Sequence, residues 1–205
     1  MVCLIQASFE LGAKQHGLEL IRPQDILNHP NCPTATRYEK APWRVPIAFT
    51  YDRHSVEHYV ESDGEFFGLA RSIDGVRTAL LFPGFEADRS TEPLEPQDYD
   101  RPSIKKKFIA YREIARQRIY QSRYGLPNAI VPFVTINETH KRAIMRVVEK
   151  LTDGKGSKLF IFKSMPNFAS FENFPPPTGH MVTEPWERVG HPPYDIFAQI
   201  RKEVV

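Results

Sequence analysis

The chain has 205 residues, of which 41% are hydrophobic and 25% are charged, and its formal net charge is +2. This composition is typical of soluble globular proteins and excludes global disorder, and the length predicts one domain-sized core. Two cysteines without a zinc-type spacing exclude a disulfide framework and a structural zinc site. No apolar run is long enough for a membrane span and the first residues lack a basic signal-peptide start, so a cytoplasmic protein without a membrane partner is expected.

The N-terminal part begins with a predicted helix and continues into a loop. Apolar residues recur at helical spacing over residues 2–16, and Gly17 is a typical C-terminal stop. Residues 23–26 are expected to add one helical turn. Four prolines between residues 28 and 46 then indicate a loop.

Four short strands are predicted in the next segment: the first alternates between apolar and polar residues, the second is short and interrupted by polar residues, the third is aromatic and the fourth is strongly apolar. We expect them to form one antiparallel meander, with turns at Asp63-Gly64 and Asp74-Gly75. The second turn is expected to close a hairpin between the last two strands. The predicted strands are residues 45–49, 58–61, 65–70 and 78–85.

An acidic segment and a long helix follow these strands. Residues 86–100 are acidic, contain prolines and are expected to form an exposed loop. Ser103 is a suitable N-cap for one helix that continues through Tyr124. Gly125 and Pro127 are typical residues for ending it.

A continuously apolar strand is predicted at residues 129–136. Its composition indicates burial on both faces, although Pro132 is expected only at an edge or a bulge. Asn137 is a suitable N-cap for the next helix. The remaining predicted elements are a helix at 138–151, a glycine-containing turn at 153–157 and a strand at 158–163.

The C-terminal extension, residues 166–205, holds seven of the chain's 18 prolines, which predicts an extended segment. We expect it to pack on a core formed by residues 1–165. The order of helices and strands indicates the α/β (α+β) class, with a mixed central sheet flanked by helices. The expected aromatic anchors of the extension are Phe168, Phe171, Phe174 and Trp186.

Three carboxylates are expected to meet at one end of the sheet. Asp63 lies at a turn between strands, and Glu86 and Asp88 follow the last strand of the hairpin. Two or three carboxylates with water are suitable ligands for Mg²⁺, and a bound Mg²⁺ can activate water for phosphodiester hydrolysis. The alternative is that Asp63 serves a turn and that Glu86 and Asp88 begin a solvated loop.

The predicted long helix is strongly basic. Residues 101–124 carry eight basic side chains and one acidic side chain, a net charge of +7, which leaves −5 for the rest of the chain. Such segregation favours contact with DNA, because lysine and arginine contacts to phosphate dominate nonspecific affinity for nucleic acid. The alternative is a solvated amphipathic helix. The candidate DNA-binding residues are Lys105, Lys106, Arg112, Arg116, Arg118 and Arg123.

Residues 86–93 read Glu-x-Asp-Arg-x-Thr-Glu-Pro and are followed by Lys107 and Tyr111. Together with several less specific segments over residues 6–151, this motif resembles the replication-relaxation family of bacterial and plasmid proteins. It implies a role in the replication or mobilisation of plasmids or mobile elements, and a core similar to the restriction-endonuclease-like PD-(D/E)XK nucleases. The less specific segments are 9–13, 16–18, 62–69 and 123–128.

The resemblance also implies roles for individual residues. In PD-(D/E)XK nucleases a helix carries a glutamate, a strand end carries an aspartate and the next strand carries an acidic-x-lysine triplet. Glu10, Asp63 and Glu86 match the first three positions, which makes them the expected ligands of Mg²⁺. Asp88 stands where the lysine is expected, and Lys107 on the basic helix could supply the amine instead. The expected catalytic residues are therefore Asp63, Glu86, Asp88 and Lys107.

Three functions fit these features. The first is a Mg²⁺-dependent DNA endonuclease, for which a homodimer would ease cleavage of both strands. The second is a non-catalytic DNA-binding accessory factor on the same fold, and the third is a protein-interaction module whose basic helix meets an acidic partner. The scattered histidines, including His140, lack metal-ligand spacing and are expected to be ordinary surface or core residues.

Overall fold

The structure is a computed structural model that describes residues 1–51, 53–95, 102–126, 129–165, 168, 170, 172–173 and 175–201. Helices and strands occur along its whole length, so the protein belongs to the α+β class. The helices are α1 (Val2–Gln15), α2 (Pro23–Asn28), α3 (Thr34–Arg37), α4 (Ile104–Arg116), α5 (Ile119–Tyr124), α6 (Glu138–Leu151), α7 (His180–Thr183) and α8 (Ile196–Arg201). The strands are β1 (Glu19–Ile21), β2 (Val45–Tyr51), β3 (His54–Val60), β4 (Phe67–Ile73), β5 (Val76–Phe82), β6 (Glu86–Asp88), β7 (Val131–Thr135) and β8 (Phe160–Ser164).

The strands form three separate sheets, which differs from the predicted single mixed sheet. An antiparallel sheet has the order β1-β4-β5, β2 and β3 form a hairpin of their own, and a parallel sheet has the order β6-β7-β8. The predicted meander is wrong at the step from β3 to β4, because the segment between them bonds to the start of β6. Gly64 N–H donates to Phe85 O at 3.0 Å, so Asp63-Gly64 is not a hairpin turn.

The hairpin between β4 and β5 is confirmed. Ile73 pairs with Val76, which leaves Asp74-Gly75 as a two-residue turn. Asp74 and Gly75 have φ angles of 49° and 80°, and a type I′ turn requires two consecutive positive φ angles. Aspartate and glycine tolerate this conformation, so the local sequence is sufficient to specify the turn.

The basic helix is interrupted, which differs from the predicted single helix. Ser103 caps its start as expected, with the hydroxyl accepting a hydrogen bond from Lys106 N at 3.3 Å. Between α4 and α5, however, Arg118 adopts a left-handed conformation with φ of 53°. This break redirects the chain so that Tyr120 and Tyr124 of α5 reach the core, where both are buried.

The central strand of the parallel sheet is β7, and all of its residues are buried, as predicted. Pro132 lies within this central strand, so the expectation of an edge position is wrong. Val131 N–H donates toward β8, to Leu159 O at 2.8 Å, and strand alternation therefore turns the Pro132 nitrogen toward β6. The pairing with β6 starts only at Phe133, so no ladder hydrogen bond is lost at the proline.

Helices cover both faces of the parallel sheet. Phe133 and Phe160 pack against Phe108 of α4 on one face. Val134 and Ile161 belong to the second core, which the sheet shares with α1, α7 and α8. The predicted helices at the N-terminus and at 138–151 are confirmed as α1 and α6, and the predicted strand at 158–163 is confirmed as β8.

The C-terminal extension forms part of the second core. α7 packs on α1, and α8 packs on β4 and β5. Trp186 is completely buried and donates its Nε1–H to Met181 O at 2.8 Å, so this predicted anchor is confirmed. Phe168 packs partly buried against the same core. The predictions for Phe171, Phe174, Pro127 and residues 96–101 lie outside the described residues.

Both cysteines are free thiols, with Cys3 exposed and Cys32 buried. Cys32 Sγ lies 3.6 Å from Arg123 O, which joins the loop after α2 to the end of α5. In the part of the chain that the structure describes, every helix is too short or too polar to cross a bilayer.

Candidate active site

Glu86 and Asp88 lie on one face of β6, because alternate residues of a strand point the same way. Both are buried, with 2% of Glu86 and 7% of Asp88 exposed. The expectation that residues 86–88 belong to an exposed acidic loop is wrong, since pairing with β7 makes them a strand. Two carboxylates are therefore held inside the protein, where each needs a partner.

Two side chains of α4 bond to Glu86. Lys107 Nζ lies 3.0 Å from Glu86 Oε2, and the Tyr111 hydroxyl donates to Glu86 Oε1. Lys107 and Tyr111 are four residues apart, so one turn of the helix brings both to the same point above the sheet. Each oxygen of the buried carboxylate therefore has a donor. The amine of Lys107, which the resemblance implies as the catalytic amine, contacts Glu86.

The environment changes the ionisation of all three groups. Burial raises the pKa of Glu86 to about 7, although the charge of Lys107 acts in the opposite direction. Burial also raises the pKa of the Tyr111 hydroxyl, and the nearby charge of Glu86 adds to this effect. Burial acts to lower the pKa of Lys107, but the carboxylates of Glu86 and Glu92 outweigh it, so that pKa is raised. At neutral pH Tyr111 is therefore a donor, Lys107 is charged and Glu86 is near its ionisation midpoint.

Lys107 joins two carboxylates. Its Nζ lies 2.9 Å from Glu92 Oε1 as well as 3.0 Å from Glu86 Oε2. The second oxygen of Glu92, Oε2, is buried and has no hydrogen-bond partner among the described residues. Sequence reasoning missed Glu92 as a site residue, because an acidic residue in a proline-containing segment is equally typical of a solvated loop.

Asp63 lies next to Glu86 through a backbone contact. Its Oδ2 accepts a hydrogen bond from Ala87 N at 2.8 Å, and its negative charge contributes to the raised pKa of Glu86. Asp63 is exposed, whereas Glu86 is buried. Asp63 thus lies near enough to influence the ionisation of Glu86, with Asp63 at the surface and Glu86 in the interior.

Asp88 has different partners from Glu86. Its carboxylate contacts His140 Nε2, and its Oδ1 accepts a hydrogen bond from Ser90 N at 3.0 Å. His140 lies in the first turn of α6, where its backbone N–H donates to Asn137 Oδ1 at 2.8 Å and confirms the predicted N-cap. Sequence reasoning missed His140, because only the parallel pairing of β6 with β7 brings the start of α6 to the end of β6.

Glu10 is a predicted metal ligand that the structure does not bring to this site. It is exposed on α1. It lines a separate cavity of about 260 Å³, together with Glu65 and Phe85. Neither Asp63 nor Glu86 lines that cavity.

Two of the predicted DNA-binding arginines are engaged within the protein. Arg112 Nη1 donates to Leu151 O at the end of α6, at 2.8 Å. Arg116 pairs with Glu113 one turn earlier on α4, at 2.7 Å. Each arginine remains exposed, but its guanidinium already has an acceptor.

The remaining predicted DNA-binding residues differ from one another in exposure. Arg123 pairs with Glu39 of the segment between α3 and β2. Lys105 and Lys106 are half-buried at the start of α4, and Arg118 is exposed in the break between α4 and α5. The charge of the basic segment is therefore distributed over several surfaces and is not concentrated on one face of one helix.

The fit of a magnesium ion depends on Asp63 and Glu86. Among the described residues, no three His, Cys, Asp or Glu side chains are grouped so that they could hold a metal ion. Mg²⁺ is commonly held by one or two carboxylates, with waters and substrate phosphate oxygens completing its coordination. A Mg²⁺ ion at this site would therefore need water and phosphate oxygens in addition to Asp63 and Glu86.

Comparisons with known proteins find no matching protein family, no matching curated protein and no matching solved structure. A functional conclusion for this chain therefore depends on the chemistry of its own site.

Proposed function

We propose that this chain is a DNA-binding protein of plasmid or mobile-element replication or mobilisation, with a restriction-endonuclease-like core that hydrolyses phosphodiester bonds with Mg²⁺. The observation that carries the proposal is the 3.0 Å contact between Lys107 Nζ and Glu86 Oε2, beside Asp63. Two carboxylates and a lysine amine are the groups that the resemblance to PD-(D/E)XK nucleases implies. On this proposal the protein acts on DNA in the cytoplasm, and a homodimer would cut both strands of a duplex.

The different exposures of Asp63, Glu86 and Lys107 indicate a different role for each residue. Asp63 is exposed and can contact a phosphate from solvent, whereas Glu86 is buried. Lys107 keeps 29% of its side chain exposed and can donate to a phosphate oxygen. Tyr111 holds Glu86 in a fixed orientation through its hydroxyl. A bound Mg²⁺ would supply Lewis-acid stabilisation of the phosphate and an activated water.

A second candidate is a non-catalytic DNA-binding accessory factor on the same fold. It is favoured by the enclosure of Glu86, which is 2% exposed and bonded on both oxygens. A carboxylate in this state also serves well as a structural anchor between β6 and α4, because it satisfies the donors of Lys107 and Tyr111.

The two candidates are separated by a cleavage assay on supercoiled plasmid, linear duplex and single-stranded DNA, with Mg²⁺, Mn²⁺ or EDTA. The test variant is Glu86→Gln, which keeps the side-chain shape and removes the charge. The matched control is Glu149→Gln, which changes an exposed carboxylate on α6. We expect metal-dependent cleavage by the wild type and by Glu149→Gln, and a rate lower by about 100-fold or more in Glu86→Gln.

DNA binding is measured in parallel by gel shift in EDTA. Binding without cleavage in all three proteins would reject the nuclease and support the accessory factor. A protein that neither binds nor cleaves DNA would contradict both candidates and favour the protein-interaction module. Cleavage that persists in Glu86→Gln would show that the activity comes from another site or from a contaminant.

A further inference from the structure

A recess separate from the carboxylate site lies where α4 and α5 meet the segments just before the N-terminal ends of β7 and β8. Its volume is about 760 Å³, which falls within the range of roughly 300–1,000 Å³ that is usual for ligand sites. We call it the α4–α5 groove. The residues that define it are Ile114, Arg118, Tyr120, Leu126, Lys158 and Arg188.

The rim of the α4–α5 groove is positively charged. Arg118 and Lys158 are exposed and Arg188 is half-buried. None of the described residues that line the groove is acidic. By contrast, Arg116 on the neighbouring turn of α4 is paired with Glu113. Cations gathered around a recess without carboxylates attract an anionic ligand.

The floor of the groove is apolar and aromatic. Ile114, Leu126 and Tyr194 line it and are all buried, with 9% of Tyr194 exposed. The Arg188 guanidinium carbon lies 5.2 Å from the centre of the Tyr194 ring, and Arg188 Nε donates to Pro192 O at 2.8 Å. This arginine is therefore held in place beside the ring. Aromatic rings and arginine planes are surfaces on which unstacked bases stack.

We infer that the α4–α5 groove binds single-stranded nucleic acid, with phosphates at the cationic rim and unpaired bases on the floor. The inference deepens the proposed function, on which it rests for the choice of DNA as the polymer. A duplex presents phosphates to the rim but keeps its bases paired and stacked, so it leaves the apolar floor unfilled. An acidic polypeptide matches the rim but has no planar bases to pack on the apolar floor.

The first experiment measures fluorescence anisotropy of a labelled oligothymidine of about 15 nucleotides and of a duplex of the same length, in EDTA. The full chain is used, and thermal unfolding checks that each variant is folded. Ala115 lines the groove and is exposed on α4, so its replacement changes the groove without disturbing the core. Ala115→Glu adds a negative charge, and Ala115→Gln is the matched neutral control. We expect the wild type and Ala115→Gln to bind the single strand at least about tenfold more tightly than Ala115→Glu does.

The second experiment tests the rim. The double variant Arg118→Ser, Lys158→Ser removes two cations from the groove, and Arg142→Ser, Arg146→Ser removes two exposed cations from α6 as a matched control. Log affinity decreases with log salt concentration, and each phosphate contact on a single strand makes this slope steeper by about 0.7. We therefore expect the slope of the groove variant to be less steep by about 1.4, and the slope of the control to stay unchanged.

Three results would overturn the inference: equal binding by Ala115→Glu and Ala115→Gln, duplex binding as tight as single-strand binding, or competition by polyglutamate as strong as that by unlabelled oligothymidine. The last result would identify an acidic polypeptide as the ligand. The cleavage assay distinguishes failure of the proposed function from failure of this inference, because Glu86→Gln is expected to lose cleavage and to keep single-strand binding. Binding in the groove without any cleavage would support this inference and reject the nuclease.

Discussion

Lys107 Nζ lies 3.0 Å from Glu86 Oε2, and the two residues come from different elements, α4 and β6. The carboxylate is buried, whereas 29% of the lysine side chain is exposed. The pair thus lies at the boundary between the core and the surface. The positive charge of Lys107 compensates the negative charge of the Glu86 carboxylate, which would be costly to bury without a partner.

Replacing this cation should destabilise the protein in a pH-dependent way. In Lys107→Met, Glu86 loses its neighbouring positive charge, so its pKa rises above the value of about 7 that it has beside the lysine. At about pH 8 the variant must bury an unpaired anion or take up a proton, which should lower the free energy of unfolding by about 2–3 kcal/mol. This figure allows for solvent screening of the partly exposed lysine. At about pH 5.5 Glu86 is mostly protonated in both proteins, and the cost should fall to about 1 kcal/mol.

Urea denaturation at both pH values measures this difference. Arg116→Gln is a suitable control, because Arg116 is exposed and its pair with the half-buried Glu113 should contribute less than about 1 kcal/mol at either pH. A loss of stability in Lys107→Met that is the same at both pH values would contradict the assignment of Glu86 as the titrating group.

The raised pKa of Glu86 also predicts how wild-type stability depends on pH. With a folded-state pKa of about 7 against an ordinary value of 4.5, the folded protein holds the Glu86 proton more tightly than the unfolded chain does. The contribution of Glu86 to stability is therefore fully present below about pH 4.5 and is lost as the pH rises through about 7. Relative to Glu86→Gln, which cannot titrate, the wild type should lose about 3 kcal/mol across this range.

The measurement is the difference in unfolding free energy between wild type and Glu86→Gln at several pH values. Taking the difference cancels the other carboxylates, which titrate in both proteins. Glu149→Gln is the matched control for replacing a glutamate by glutamine, because Glu149 is exposed on α6 and lies outside the Glu86 site. A flat difference for Glu86→Gln would mean that Glu86 keeps an ordinary pKa in the folded protein.

Tyr111→Phe tests the second donor to Glu86. The ring of Tyr111 packs edge-on against Phe133 and Phe160, and phenylalanine keeps this packing. Loss of the hydroxyl leaves one oxygen of a buried carboxylate without its donor, which should cost about 1–3 kcal/mol. Tyr120→Phe on α5 is the control for removing a tyrosine hydroxyl that does not bond to Glu86. Equal stabilities for Tyr111→Phe and wild type above about pH 7 would show that the hydroxyl contributes nothing to holding the ionised carboxylate.

Local features of this fold could be predicted from the sequence, because their causes are local. The Asp74-Gly75 turn depends on two residues that tolerate positive φ, and the caps by Ser103 and Asn137 depend on side chains that reach their own helix. Each of these predictions is confirmed. The pairing of β1 with β4 is different, since it joins strands that are distant along the chain, and a three-residue strand carries too little periodicity to be recognised.

The candidate site could be predicted only in part, for the same reason. Asp63 and Glu86 are recognisable because they are acidic residues next to the ends of predicted strands, and Lys107 is implied by the resemblance. The burial of Glu86 depends on β6 pairing with β7 and on α4 lying above it, and neither is encoded next to Glu86. The contact of Asp88 with His140 depends on the same pairing, so an isolated histidine in the sequence could not be distinguished from a surface residue.

Asp88 and His140 should show energetic coupling in a double-mutant cycle. Asp88 is 7% exposed, and its carboxylate contacts the imidazole of His140 in addition to the backbone of Ser90. Asp88→Ala and His140→Ala should each destabilise the protein, and the double variant should be more stable than the sum predicts by about 1–2 kcal/mol. Urea denaturation of the four proteins gives this value. Additive effects would mean that Asp88 is held by its backbone contacts alone.

Replacing Arg118 by glycine should separate stability from nucleic-acid binding. Arg118 has φ of 53°, a conformation that strains a side chain with a Cβ and does not strain glycine. Arg118→Gly removes this strain but increases the entropy of the unfolded chain, so the net gain should be about 0.5 kcal/mol. The same change removes one cation from the α4–α5 groove, and single-strand affinity should therefore fall while the melting temperature rises slightly.

Arg118→Lys is the control, because it keeps both the strain and the charge and should match the wild type in both measurements. A variant that gains stability and keeps full affinity would show that Arg118 does not contact the bound strand, whereas a loss of both would show that the arginine stabilises the break between α4 and α5.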